Sequence, residues 1–117
     1  MGILTRDMIL QAQDLKTEDV PVPEWGGDVR VRTLTGAERE QFGRSMLGAD
    51  GKTAETTGYA FKMLALCIVD EAGVRQFSDA DVAALGAKSA DALQRVFTVA
   101  EKLNGMASDS VEIATGN

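Results

Sequence analysis

The stretch that decides the fold is Ser89-Ala90-Asp91-Ala92-Leu93-Gln94-Arg95-Val96-Phe97-Thr98-Val99-Ala100-Glu101-Lys102-Leu103-Asn104-Gly105. Leu93, Val96, Phe97, Ala100 and Leu103 recur at helical spacing, so a helix gathers them into one apolar stripe. Gln94, Arg95, Thr98, Glu101 and Lys102 fall largely on the other side. Ser89 can accept from the free amides of the first turn, and Asp91 complements the positive end of the helix dipole. Asn104-Gly105 suits a left-handed stop. A helix of this kind needs a partner surface, which the rest of the chain has to supply.

At 117 residues the chain reads as one domain able to bury roughly two-thirds of its unfolded surface. A net charge of −6 argues against a phosphate-binding partner, which calls for a basic face, and repels anionic membrane. No histidine is present, which removes the commonest general base and metal ligand. The single cysteine, Cys67, excludes an internal disulfide and lies in an apolar run, where it reads as a small buried hydrophobe. No signal-peptide pattern opens the sequence and no apolar run is long enough to span a bilayer, so the expectation is a cytosolic protein.

Going outward from the organising helix, Thr5 marks the start of a short helix over about Arg6–Gln13. Its apolar residues lean either on the core or on a neighbouring copy. Thr17–Thr33 reads as a β-hairpin, with Val20 and Val22 alternating with Pro21 and Pro23, and Val29 and Val31 with Arg30 and Arg32. Prolines cannot donate to a ladder, so the favoured register turns them outward. It closes a four-residue loop, Trp25–Asp28, on Glu24–Val29 and pairs Val22 with Val31 and Val20 with Thr33. Strand Asp28–Thr33 keeps its donors on the free side for a third strand or a partner. Thr35-Gly36-Ala37-Glu38 is a capping-box pattern opening a helix over about Ala37–Leu47, with Phe42 and Met46 inward.

A loop at Gly48–Thr53 precedes a buried helix from about Ala54 to Cys67, with Phe61, Leu64, Ala65 and Ile68 toward the core. A small second hairpin sets Val69–Asp70 against Val74–Arg75. Ser78-Asp79-Ala80-Asp81 caps a short helix carrying Val82 and Leu85. The expected organisation is a single α+β domain over residues 1–105, a small helical domain with an N-terminal β-hairpin, followed by a flexible tail over residues 106–117.

No constellation of residues points to a reaction. Gly48-Ala49-Asp50-Gly51-Lys52-Thr53 ends like a nucleotide loop but lacks the first glycine at the required spacing, and it follows a helix where the mechanism needs a strand. Asp79 and Asp81 belong to a helix start, where the dipole favours acids. Glu38 and Glu40 sit two apart, on different helix faces. Trp25, at a glycine-rich hairpin tip, either folds onto the core or presents an aromatic anchor to a partner. Arg30 and Arg32 share a strand face, suited to solvent or to a partner's carboxylate. The residues expected to bind a partner are therefore Trp25, Val29, Arg30, Val31 and Arg32; no catalytic, cofactor or metal residues are expected.

The ordered set of motifs is more specific than any one of them. Leu4-Thr5-Arg6-Asp7-Met8-Ile9-Leu10 leads to Val20-Pro21-Val22-Pro23-Glu24-Trp25-Gly26-Gly27 and then to Val29-Arg30-Val31-Arg32-Thr33-Leu34-Thr35-Gly36-Ala37-Glu38-Arg39. Phe77-Ser78-Asp79-Ala80-Asp81-Val82 with Leu85, and Leu103-Asn104-Gly105, complete it. Over roughly Met1 to Gly105 the chain resembles the tail assembly chaperones of long-tailed bacteriophages and their prophages.

That resemblance implies a non-enzymatic factor without cofactor, working in the host cell cytoplasm and absent from the mature virion. It implies binding to the tape measure protein, whose long apolar helices it keeps soluble, and recruitment of the tail tube protein, in part through a longer frameshifted form. It also implies homo-oligomers, and neither nucleic acid nor membrane as partner. The alternative is a structural virion component, a tail or head-to-tail connector protein.

Overall fold

The computed structural model describes residues 2–47 and 58–106. The fold is α+β, as the sequence predicts. In chain order it comprises α1 (Arg6–Gln11), β1 (Thr17–Val22), β2 (Gly27–Arg32), α2 (Gly36–Ser45), α3 (Tyr59–Cys67), β3 (Ile68–Val69), α4 (Val82–Leu85) and α5 (Ala90–Leu103). The strands form an antiparallel sheet in the order β1-β2-β3.

Helix α5 lies on the sheet face that carries Val20, Val22 and Val31, with α3 packed beside it. Its stripe is the predicted one, widened by Ala92. Ser89 Oγ accepts from the Ala92 amide at 3.3 Å and starts the helix. The stop is a Schellman motif: Gly105 adopts φ +70°, its amide donates to Lys102 O, and the Met106 amide donates to Glu101 O at 2.8 Å. Met63, Leu64, Ala65, Leu66 and Cys67 are five consecutive buried residues, so the second half of α3 is enclosed on every side, while Tyr59 to Lys62 are half-buried. Residues 54–57, predicted as its first turn, the glycine loop at 48–53 and the tail from 107 onward lie outside the described residues.

Two expectations need correction, the hairpin register and the place of Glu101, and two left open are narrowed. The hairpin register differs by four residues: Val20 faces Val29, Val22 faces Gly27 and Pro21 faces Asp28. The loop begins earlier because Pro23-Glu24-Trp25 form one 3-10 turn, closed by Gly26 at φ +81° whose amide donates to Pro23 O at 3.1 Å. Proline's fixed φ suits the first position of such a turn, and only Gly26 adopts the left-handed conformation that ends it. Gly27 is thereby released to the strand. The prolines still face outward: the Thr33 amide bonds Lys16 O, so alternation along the ladder leaves Pro21 in a non-bonded pair.

The free side of β2 pairs with a third strand, one of the two expected uses, as β3 covers it at Arg30 and Val31. Of the two surfaces expected for α1, the core is ruled out. Every residue from Gly2 to Asp19 is exposed, and Ile3 is 94% exposed. The other correction is Glu101, which is 1% exposed where the helical wheel turned it to solvent. It sits about 80° around the helix from Leu93, at the margin of the stripe, and there Tyr59 of α3 covers it.

The remaining short elements follow their signals. Thr5 and Thr35 both form capping boxes, with Met8 and Glu38. The predicted small second hairpin is present as a bridge between Val69 and Arg75, with the Asp70 amide donating to Val74 O. Asp81 accepts from the Ser78 amide at 2.9 Å ahead of α4.

Candidate partner-binding surface

The hairpin tip is held by a bidentate ion pair, in which the Arg95 guanidinium donates to both oxygens of Glu24 at 2.7 and 2.9 Å. That pairing holds the Glu24 carboxyl at about 2, well below the usual carboxylate range. It fixes the 3-10 turn against α5, so Trp25 is half-buried on the core and cannot swing freely. Trp25 contributes one wall of a groove of about 450 Å³, completed by Phe77, Ala84 and Leu85, with Asp81 and Lys88 at its polar rim. A groove of this size, mostly apolar with a few charged groups, suits two or three aliphatic side chains.

The other four predicted residues divide between surface and interior. Arg30 donates to Asp19, directly opposite on β1, at 2.7 and 3.0 Å, and both remain substantially exposed. Val29 is half-buried. Val31 is fully buried, and Arg32 is only 8% exposed. Arg32 donates to both oxygens of Glu38 at 2.7 and 2.8 Å and to Thr33 O at 3.0 Å. Glu38 also accepts from the Thr35 amide at 3.0 Å, and these partners, Arg32 first, hold its carboxyl at about 2. The structure therefore brings Trp25, Val29 and Arg30 to the surface and spends Val31 and Arg32 on the interior.

Two further groups stand out. Burial pushes the Cys67 thiol up to about 11, so it is an inert part of the core. Glu101 is raised by burial, with the Tyr59 side chain as its hydrogen-bonding partner, and its Oε1 has none among the described residues. Tyr59 stands between the rings of Phe42, centroid 5.2 Å away, and Phe97, at 5.7 Å and edge-on. Desolvation in that setting disfavours the charged carboxylate, while the Tyr59 hydrogen bond partly offsets it. Among the described residues no group of three or more acidic or cysteine side chains is arranged to hold a metal ion, and no helix is long and apolar enough to cross a membrane.

Sequence reasoning missed the groove as a surface and left the arm open between the core and a neighbouring copy. Phe77 and Leu85 belong to separate small elements, and only the tertiary fold sets them beside Trp25. The exposure of Ile3, Leu4, Met8, Ile9, Leu10 and Leu15 has no local signature either, because an apolar helix reads the same whether it is covered or not.

A family model described as phage tail assembly chaperone matches residues 5–114. The chain belongs to that family. Membership of a chaperone family suggests a non-enzymatic role. The fold is similar to the structure of the bacteriophage HK97 tail assembly chaperone, with a TM-score of 0.59 at 16% identity, over 83% of this chain and 90% of that one. No curated protein matches the sequence.

Proposed function

We propose that this tail assembly chaperone binds the tape measure protein and keeps its apolar helical segments soluble while tail tube subunits are recruited around it. The observation that carries this reading is the arm before β1. Its six large apolar residues, Ile3, Leu4, Met8, Ile9, Leu10 and Leu15, are all exposed, on a chain whose net charge is −6. Apolar surface captures apolar helices, and like charge keeps the loaded complexes apart. Trp25 and its groove offer a second contact on the rigid body, with Val29 and Arg30 as further surface of the hairpin.

In the same reading the protein acts in the host cell cytoplasm, associates with itself, has a longer frameshifted form that contacts the tube protein, and is left out of the finished virion. Co-expression with the tape measure protein tests the first claim. A soluble complex is expected, and a tape measure that stays insoluble overturns it. Purified particles test the last: stoichiometric copies would make the protein a structural component instead.

A further inference from the structure

We propose that the junction of α2, α3 and α5 is a pH-sensitive switch. Ionisation of Glu101 releases the first turn of α3 while the sheet and the body of α5 stay folded. The switch turns on Tyr59. Its ring stands between Phe42 of α2 and Phe97 of α5, and its side chain is the hydrogen-bonding partner of Glu101, so one residue ties three helices together. Glu101 is itself 1% exposed, and its Oε1 has no partner among the described residues. A neutral carboxylic acid tolerates that setting. A carboxylate does not, because both of its oxygens call for donors and one of them has none.

Among the described residues no cation pairs with it. On α2, Arg39 donates to Asn104 O and Arg44 pairs with Glu40; on α3, Lys62 donates to Ser45 O at 3.2 Å. On α5, Arg95 is held by Glu24 and Lys102 is exposed, and Arg32 of β2 is held by Glu38. The Cys67 thiol, raised to about 11, stays neutral. Relief therefore has to come from water, and a helix must move to admit it. The start of α3 is the weakest point. Its N-cap is Gly58 at φ +76°, no side chain caps its free amides, and no acid stands in its first turn. Tyr59 to Lys62 are half-buried, whereas Met63 to Cys67 are buried and keep the second half in place. Helix α5 is instead fastened at both ends, by Arg95 on Glu24 and by Asn104 on the Leu34 amide. Burial raises the Glu101 carboxyl above its ordinary 4.5, so the switch is closed at that pH and opens as pH climbs through the folded value, the proton passing to solvent. Opening swings Tyr59 outward and uncovers Phe42 and Phe97, so apolar surface grows as pH rises.

Amide exchange followed peptide by peptide from about pH 5 to about pH 8, corrected for the intrinsic effect of pH, tests this. The opening constant of the first turn of α3 should rise by about tenfold for each unit of pH beyond the folded value, and binding of an apolar dye should rise with it. Amides of β1, β2 and Val96–Ala100 should hold steady. In Glu101→Gln, which keeps the shape and cannot ionise, the rise should vanish. A flat wild-type profile overturns the switch, as does a rise shared equally by the sheet, which is global loosening. A rise that persists in Glu101→Gln overturns Glu101 as its cause. Should that variant fail to fold, carbon NMR of the wild-type Glu101 carboxyl decides: titration in step with the exchange is expected, and titration at the ordinary 4.5 overturns the proposal.

Discussion

Helices α1 and α5 begin alike and end in opposite circumstances. Each opens on a hydroxyl cap, Thr5 or Ser89, that accepts from the amide three residues on. Yet α5 runs for 14 residues and buries six of them, whereas α1 runs for six and buries none. Local signals start a helix, and tertiary burial decides what it is for: α5 supplies stability, and α1 keeps its apolar side chains on the surface.

The largest expected effect separates the two directly. Phe97→Ala empties a site between Tyr59 and the sheet and should cost about 3–5 kcal/mol of unfolding free energy, whereas Ile9→Ala should shift it by less than about 0.5 kcal/mol. Urea titration of both variants checks this, and comparable losses would erase the distinction.

Arg32→Ala should come next, at about 2–3 kcal/mol, because it strands Glu38 at the start of α2 without its cation. The same pair sets an acid limit. Glu38 is held at about 2 in the fold against 4.5 for an ordinary glutamate, so its contribution is complete above pH 4.5 and is lost as pH falls toward 2. A wild-type unfolding curve measured across that window should slope downward more steeply than that of Glu38→Gln.

Glu101 has the opposite sign. Its folded value is raised, so the folded state holds a proton that the unfolded chain releases above its ordinary 4.5, and stability falls as pH rises beyond that point. Glu101→Gln should therefore gain about 1 kcal/mol at pH 7 relative to wild type and lose that advantage near pH 4. An unchanged difference across pH would place a charged, satisfied carboxylate there. The smallest effect belongs to the caps: Ser89→Ala should cost about 1 kcal/mol, and Thr5→Ala should leave global unfolding unaltered while reducing amide protection in α1 only.

Much of this was legible before any coordinates. The apolar stripe from Leu93 to Leu103, the cap at Thr5, the box at Thr35 and the left-handed stop at Gly105 are local, and local chemistry decided them. The hairpin was readable but its register was not, because Pro23 could end a strand or begin a turn, and the choice depends on Trp25 finding the core and Glu24 finding Arg95, 71 residues away. Glu101 escaped for a similar reason: its wheel position is marginal, and Tyr59 decides the matter from another helix. Of the candidate surface, Trp25 stood out in the sequence, whereas the groove beside it is assembled from three separated segments and left no pattern to read.

The two latches that tie α5 to the hairpin region have a bearing on how the polypeptide is made. Arg95 clasps Glu24, and Asn104 Oδ1 accepts from the Leu34 amide at 2.7 Å, while its Nδ2 donates to Ala100 O. A ribosome delivers Arg95, the donor of one clasp, and Asn104, the acceptor of the other, after the groups awaiting them. The nascent hairpin therefore emerges with its tip unanchored, and closure happens in one late event, when α5 leaves the exit tunnel.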